Sequence, residues 1–220
     1  MLDIDKFIRQ MVDTNESKTN DILKQKQQER INHLLNKSGI GERFKNRTFE
    51  NFKATDNNKA ALIKSKEFAE NFESQSRGII LLGDVGRGKT HLAAAITNAI
   101  ASDLHTVMFG NITSLLSVIK STYKKDSELS ERDILEIMAQ VDLLIIDDFG
   151  KENPTKNTVS LIYQIVNRRY EDNKLLVATT NYSMTNLKKT IGEATVSRLY
   201  EMCELVQMTG SDWRLSKWVS

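Results

Sequence analysis

From Gly78 onward, short apolar runs alternate with longer amphipathic stretches. The runs occupy 79–82, 106–109, 143–146, 175–178 and 205–208. Unbroken apolar runs of this length suit strands buried on both faces, and the stretches between them suit crossover helices. The pattern predicts an α/β fold, a parallel sheet with helices on both faces and right-handed crossovers. A helix is also expected over 59–72, preceded by Phe44, Phe49 and Phe52 set among polar residues.

The first residues follow a different rule. Ile4, Phe7, Ile8, Met11 and Val12 fall on one face of a helix, which must bury that face on something. Residues 13–38 are rich in Lys, Gln, Asn and Glu, with only a thin stripe of Ile22, Leu23, Ile31, Leu34 and Leu35. The chain therefore divides into a helical arm over 1–40 and a compact domain over 41–220. Pro154, the single proline, lies in a polar loop and interrupts no predicted element.

Composition narrows the function classes. With 31 Lys and Arg against 29 Asp and Glu, the net charge of +2 gives no global pull toward nucleic acid or anionic membrane. Any DNA contact must come from a local patch. Cys203 is the single cysteine, so there is no internal disulfide and no Cys-rich zinc module, and it reads as a small half-buried hydrophobe. His33, His91 and His105 lack metal-ligand spacing. No basic start leads into an apolar run and no stretch is long enough to span a membrane, so the expected location is cytoplasmic.

The chemistry begins at residues 83–90, Gly83-Asp84-Val85-Gly86-Arg87-Gly88-Lys89-Thr90. This phosphate-binding pattern follows a predicted strand and precedes a helix carrying Leu92, Ala95, Ile96, Ala99 and Ile100 inward, the context it requires. Backbone N–H groups wrap the phosphates, glycines allow angles and approaches that a Cβ would block, and the helix N-terminus adds its positive end. Lys89 supplies a point charge for the β- and γ-phosphates of ATP, and the Thr90 hydroxyl is a candidate Mg²⁺ ligand. Downstream, the apolar run 143–146 ends in Asp147 and Asp148. Alone, such a pair is as often a helix cap or turn former. With the phosphate loop upstream, Asp147 becomes the candidate to hold Mg²⁺ through its water shell, and Asp148 the candidate to polarise the attacking water.

These motifs, with Ala178-Thr179-Thr180-Asn181, Val196-Ser197-Arg198-Leu199 and Asp212-Trp213-Arg214, resemble the AAA+ ATPases. Gly41-Glu42-Arg43-Phe44, Thr48-Phe49-Glu50-Asn51-Phe52 and Ser197-Arg198-Leu199-Tyr200-Glu201 look more narrowly like the bacterial replicative-helicase loaders of the DnaC and DnaI type. The resemblance covers about residues 41–218, and IstB-type transposition helpers share most of it. It implies a five-stranded parallel sheet ordered 5-1-4-3-2, with ATP at the carboxyl ends of the strands. It also implies no full helical lid domain after Arg214.

The same resemblance assigns further residues. Asn181 matches the polar residue that senses the γ-phosphate. Arg198 matches the arginine finger that enters a neighbouring subunit's ATP site, so self-association is implied, and Arg214 matches a second sensor acting within its own subunit. The expected partners are a hexameric replicative DNA helicase, gripped by the arm, and single-stranded DNA. Lys120, Tyr123, Lys124 and Lys125 are either a solvated helix end or a small track for that DNA. Asp148 stands where most AAA+ proteins carry Glu, which implies slow ATP hydrolysis, and the Arg198 match implies that hydrolysis depends on assembly. The function expected is an ATPase that loads or remodels the helicase. The alternatives are a transposition helper acting on duplex DNA, and an ATP-gated adaptor with incidental hydrolysis.

Overall fold

The computed structural model describes residues 26, 45–101, 105–123, 129–150 and 154–213. Of the arm only Lys26 is described, in helical conformation, so the stripe from Ile4 to Val12 lies outside the described residues. Five strands form one sheet: β1 (Gly78–Leu82), β2 (Val107–Asn111), β3 (Leu143–Asp147), β4 (Leu175–Thr180) and β5 (Cys203–Gln207). All pairings are parallel and the order is β2-β3-β4-β1-β5, which is 5-1-4-3-2 read from the other edge.

The described helices are α1 (Lys59–Glu70), α2 (Lys89–Ala101), α3 (Ile112–Ser121), α4 (Glu131–Gln140), α5 (Lys156–Glu171), α6 (Met184–Ile191) and α7 (Glu193–Met202). Residue alternation divides the apolar side chains of the central strands between two cores. Ile80, Leu82, Met108, Leu144, Ile146, Leu176 and Ala178 face the helices α3 to α7. Ile79, Leu81, Val107, Phe109, Leu143, Ile145 and Val177 face α1 and α2, with Phe52 and Phe72 sealing that side.

β1, β3 and β4 each run one or two residues beyond the expected bounds, and three further elements differ for a physical reason. The helix expected over 59–72 ends at Glu70, and Phe72 turns into the core in a short 3₁₀ segment. β2 starts and ends later than 106–109, because Thr106 is held by Asp142 while Asn111 both pairs with Asp147 and caps α3. β5 begins two residues early, at Cys203, whose thiol is fully buried rather than half-buried and is pushed up to about 12 by burial.

Candidate functional site

Strand order builds the site. The phosphate loop follows β1, the two aspartates end β3, and β4 lies between these strands. Residues at the end of β4 therefore bridge the loop and the aspartates. Thr179 Oγ1 donates to Asp147 Oδ1 at 2.6 Å and accepts from the Asp148 N–H at 2.9 Å. Thr180 Oγ1 donates to the Phe149 carbonyl at 2.7 Å. Asn181 spans the gap, its Oδ1 accepting from Lys89 Nζ at 2.7 Å and its Nδ2 donating to Asp148 Oδ1 at 3.0 Å.

Lys89 opens α2 yet is only 6% exposed. Its ammonium also donates to the carbonyls of Gly83 at 2.6 Å and Asp84 at 2.8 Å. Burial pushes its pKa down to about 8, against the pull of Asp148 and Asp147. The loop around it needs glycine at Gly86, with φ +78, where a Cβ would collide with the Asp212 carboxylate. At Gly88, φ is +93 and a Cβ would meet the Phe52 ring at 2.7 Å. Asp84 and Arg87 pair across the loop at 3.2 Å, and Val85 stands 51% exposed at its tip.

The Thr90 hydroxyl donates to Asp147 Oδ1 at 2.9 Å. Asp147 is buried, and burial raises its pKa above the usual carboxylate range despite the two threonine hydroxyls. An all-oxygen pair of this kind, beside a phosphate loop, fits Mg²⁺, which takes one or two protein oxygens and completes its shell with phosphate and water. Among the described residues no group of three or more His, Cys, Asp or Glu is placed to hold a metal ion. Asp148 adopts the left-handed conformation, φ 58, with its N–H fixed by Thr179. Uncommon backbone held by neighbours is frequent where a side chain must be aimed.

Two segments close over the loop. His91 Nε2 lies 2.8 Å from the Thr48 carbonyl, and its ring meets Phe52 edge-on, joining residues 48–52 to the start of α2. From the far end of the chain, the Trp213 N–H donates to the Gly86 carbonyl at 3.3 Å. Arg214 lies outside the described residues.

Arg198 is placed apart from this cluster, on α7. Its Nη1 donates to the Ala194 carbonyl and its guanidinium lies over the rings of Tyr163 and Tyr170 on α5. Among the described residues no hydrogen bond or ion pair joins it to the phosphate loop. Lys120 is exposed at the end of α3, and Tyr123, 61% exposed, bonds Glu131 through its hydroxyl; Lys124 and Lys125 lie outside the described residues. His105 packs edge-on against Phe72, as an ordinary surface histidine would. Sequence reasoning quoted Thr179, Thr180 and Phe52 within motifs but missed their work. It gave no signal for Tyr163 and Tyr170.

Comparison with known proteins agrees with this fold. The family model of IstB-like ATP-binding proteins matches residues 5–219. The replicative helicase loader DnaC of Buchnera aphidicola subsp. Baizongia pistaciae is 32% identical over 179 residues, 81% of this chain and 73% of that protein. The crystal structure of the DnaC helicase loader superposes with a TM-score of 0.69 at 27% identity, covering 77% of this chain and 100% of the other. The replication initiator DnaA bound to AMPPCP and single-stranded DNA gives 0.66 at 25% identity, covering 75% of this chain and 50% of the other. No helix among the described residues is long and apolar enough to cross a membrane. The chain belongs to the IstB-like ATP-binding family, has the AAA+ fold, and is a relative of the DnaC replicative helicase loaders.

Proposed function

We propose that this protein is an ATPase that loads or remodels a hexameric replicative DNA helicase on single-stranded DNA. The observation that carries the reading is the Asn181 amide, which joins the phosphate-loop lysine to the water-side aspartate across β4. Lys89 is held by two carbonyls and an amide oxygen, all weaker partners than a phosphate. ATP exchanges those partners for β- and γ-phosphate oxygens. Asn181, released on one side, then reports the γ-phosphate to Asp148. Thr90 and Asp147 would hold Mg²⁺, which would supply positive charge against the phosphate oxygens. Asp148 orients and polarises the attacking water. Arg198 acts in trans, adding a cation at a neighbour's γ-phosphate, so turnover depends on assembly. Arg214 follows Trp213, whose N–H already bonds the loop, which supports a sensor role within the same subunit.

The relation to DnaC loaders supports the helicase as partner, and the arm over 1–40, with its apolar stripe, is the segment proposed to grip it. Lys120, Tyr123, Lys124 and Lys125 are proposed to touch the DNA strand. The test is co-elution with the host helicase on a sizing column with light scattering, with ATP and without. A complex of defined stoichiometry supports the reading. No complex under either condition, from folded protein that binds ATP, favours the second reading. That reading is a transposition helper on duplex DNA, which the IstB-like family match keeps open.

A further inference from the structure

Arg198 is held in a way that differs from other arginines of the domain. Arg168 faces Glu136, Arg87 faces Asp84, and Arg77 donates to the carbonyls of Tyr200 and Cys203 at the α7–β5 junction. Arg169, like Arg77, donates to backbone carbonyls, and Arg198 has one carbonyl bond of 3.1 Å, no carboxylate within 4.0 Å among the described residues and, as Arg87 and Arg169 also have, a buried Nε without a partner. What surrounds its guanidinium is aromatic: the Tyr163 ring centroid at 5.0 Å and the Tyr170 centroid at 5.7 Å. The two tyrosines stand two turns apart on α5, and α7 packs along that helix.

Ring faces attract a cation without neutralising it, and weakly enough that phosphate oxygens would win the contest. A carboxylate in the same place would hold the arginine back and cancel its charge. The rings also remove part of the rotamer freedom of a long side chain before any neighbour arrives, which is the value of preorganisation at a catalytic cation.

We propose that Tyr163 and Tyr170 are positioning residues for the reaction, an aromatic cradle that leaves the charge of Arg198 uncompensated and holds the side chain for insertion into the adjoining subunit's ATP site. The inference rests on the in-trans role proposed for Arg198. Tyr163 is the cleaner probe, since the Tyr170 hydroxyl also bonds Glu201.

The experiment mixes two full-length variants and measures ATP turnover with single-stranded DNA. Lys89→Ala subunits have a dead site and an intact finger; Arg198→Ala subunits have an intact site and no finger. The mixture is expected to regain turnover that neither variant has alone. Adding Tyr163→Leu to the Lys89→Ala subunit should lower the regained turnover about tenfold in kcat, with KM for ATP unchanged. Adding it to the Arg198→Ala subunit should change nothing, and Tyr163→Phe should be tolerated on either.

A loss that is equal on both subunits marks a folding role and overturns the cradle, as does an unchanged or raised turnover with the donor variant. Failure of Tyr163→Phe on the donor overturns the ring argument. No turnover by the unsubstituted chain, or none in the plain mixture, removes the in-trans reading and the cradle with it.

Discussion

Two buried cations sit at opposite ends of the sheet. Lys89 lies at the carboxyl ends of β1 and β4, and Arg169 lies where β3 and β4 begin. Burial pushes both downward, Lys89 to about 8 and Arg169 to about 9. Burial and a perturbed pKa therefore do not separate them, although such features are often taken as marks of a functional site. Their partners do. Arg169 donates to the carbonyls of Met138, Ala139, Val141, Asp142 and Leu175, gathering the end of α4 and the starts of β3 and β4. Every acceptor is backbone, and the side chain is wholly buried among the described residues. Lys89 has two carbonyls and one side-chain amide in a glycine-shaped loop, beside two carboxylates. Its partners can be exchanged; those of Arg169 cannot.

The largest effect that could break the comparison is Arg169→Met. Leaving the buried carbonyls without a donor is expected to cost about 3–5 kcal/mol of stability, read from the shift of the urea midpoint. If this variant keeps its stability but loses ATP binding, the structural assignment of Arg169 is wrong.

Lys89→Met is the mirror case. It is expected to leave the urea midpoint within about 1 kcal/mol, since a buried charge leaves along with its bonds, and to weaken ATP binding by about 100-fold. Titration with a fluorescent ATP analogue checks it, and unaltered affinity would remove Lys89 from the site.

Gly88→Ala sharpens the account at the loop alone. A φ of +93 and a Cβ 2.7 Å from the Phe52 ring should cost about 1–3 kcal/mol. The strain should appear as weaker nucleotide binding together with a lower melting temperature.

The smallest effect is pH. Burial lowers the Lys89 pKa to about 8, and phosphate favours the ammonium, so binding above that pH takes up a proton. Affinity should fall as pH rises, by about fourfold from pH 7 to 8.5. Lys89→Met should flatten that slope, and a slope retained in the variant would place the titration elsewhere.

The two ends of the sheet also differ in how far the sequence discloses them. The phosphate loop and the Asp147–Asp148 pair are contiguous motifs whose chemistry demands fixed residue types, so they are legible from order alone. The sheet order came through the family resemblance rather than through periodicity. The part played by Thr179 depends on β4 lying between β1 and β3, a fact of tertiary arrangement that no local window contains. Arg169 reads in sequence as one of a pair of basic residues in the last turn of a helix, the ordinary complement to a helix dipole. Only its fixed burial against the strand starts shows the carbonyls it gathers. The same holds for Tyr163 and Tyr170, whose spacing on α5 has meaning only once α7 lies across them. β5 was misplaced because an edge strand buries Cys203 and Val206 but exposes Glu204, Leu205 and Gln207, leaving a weak apolar signal.

The proposed loader activity meets its most direct test in transfer of the replicative helicase to closed circles of single-stranded DNA, scored as helicase that stays with the circles through gel filtration. With ATP, the unsubstituted protein is expected to leave helicase on the circles, whereas Lys89→Ala protein and helicase alone leave little. Equal retention in all three, with each protein folded, would contradict a nucleotide-driven loader.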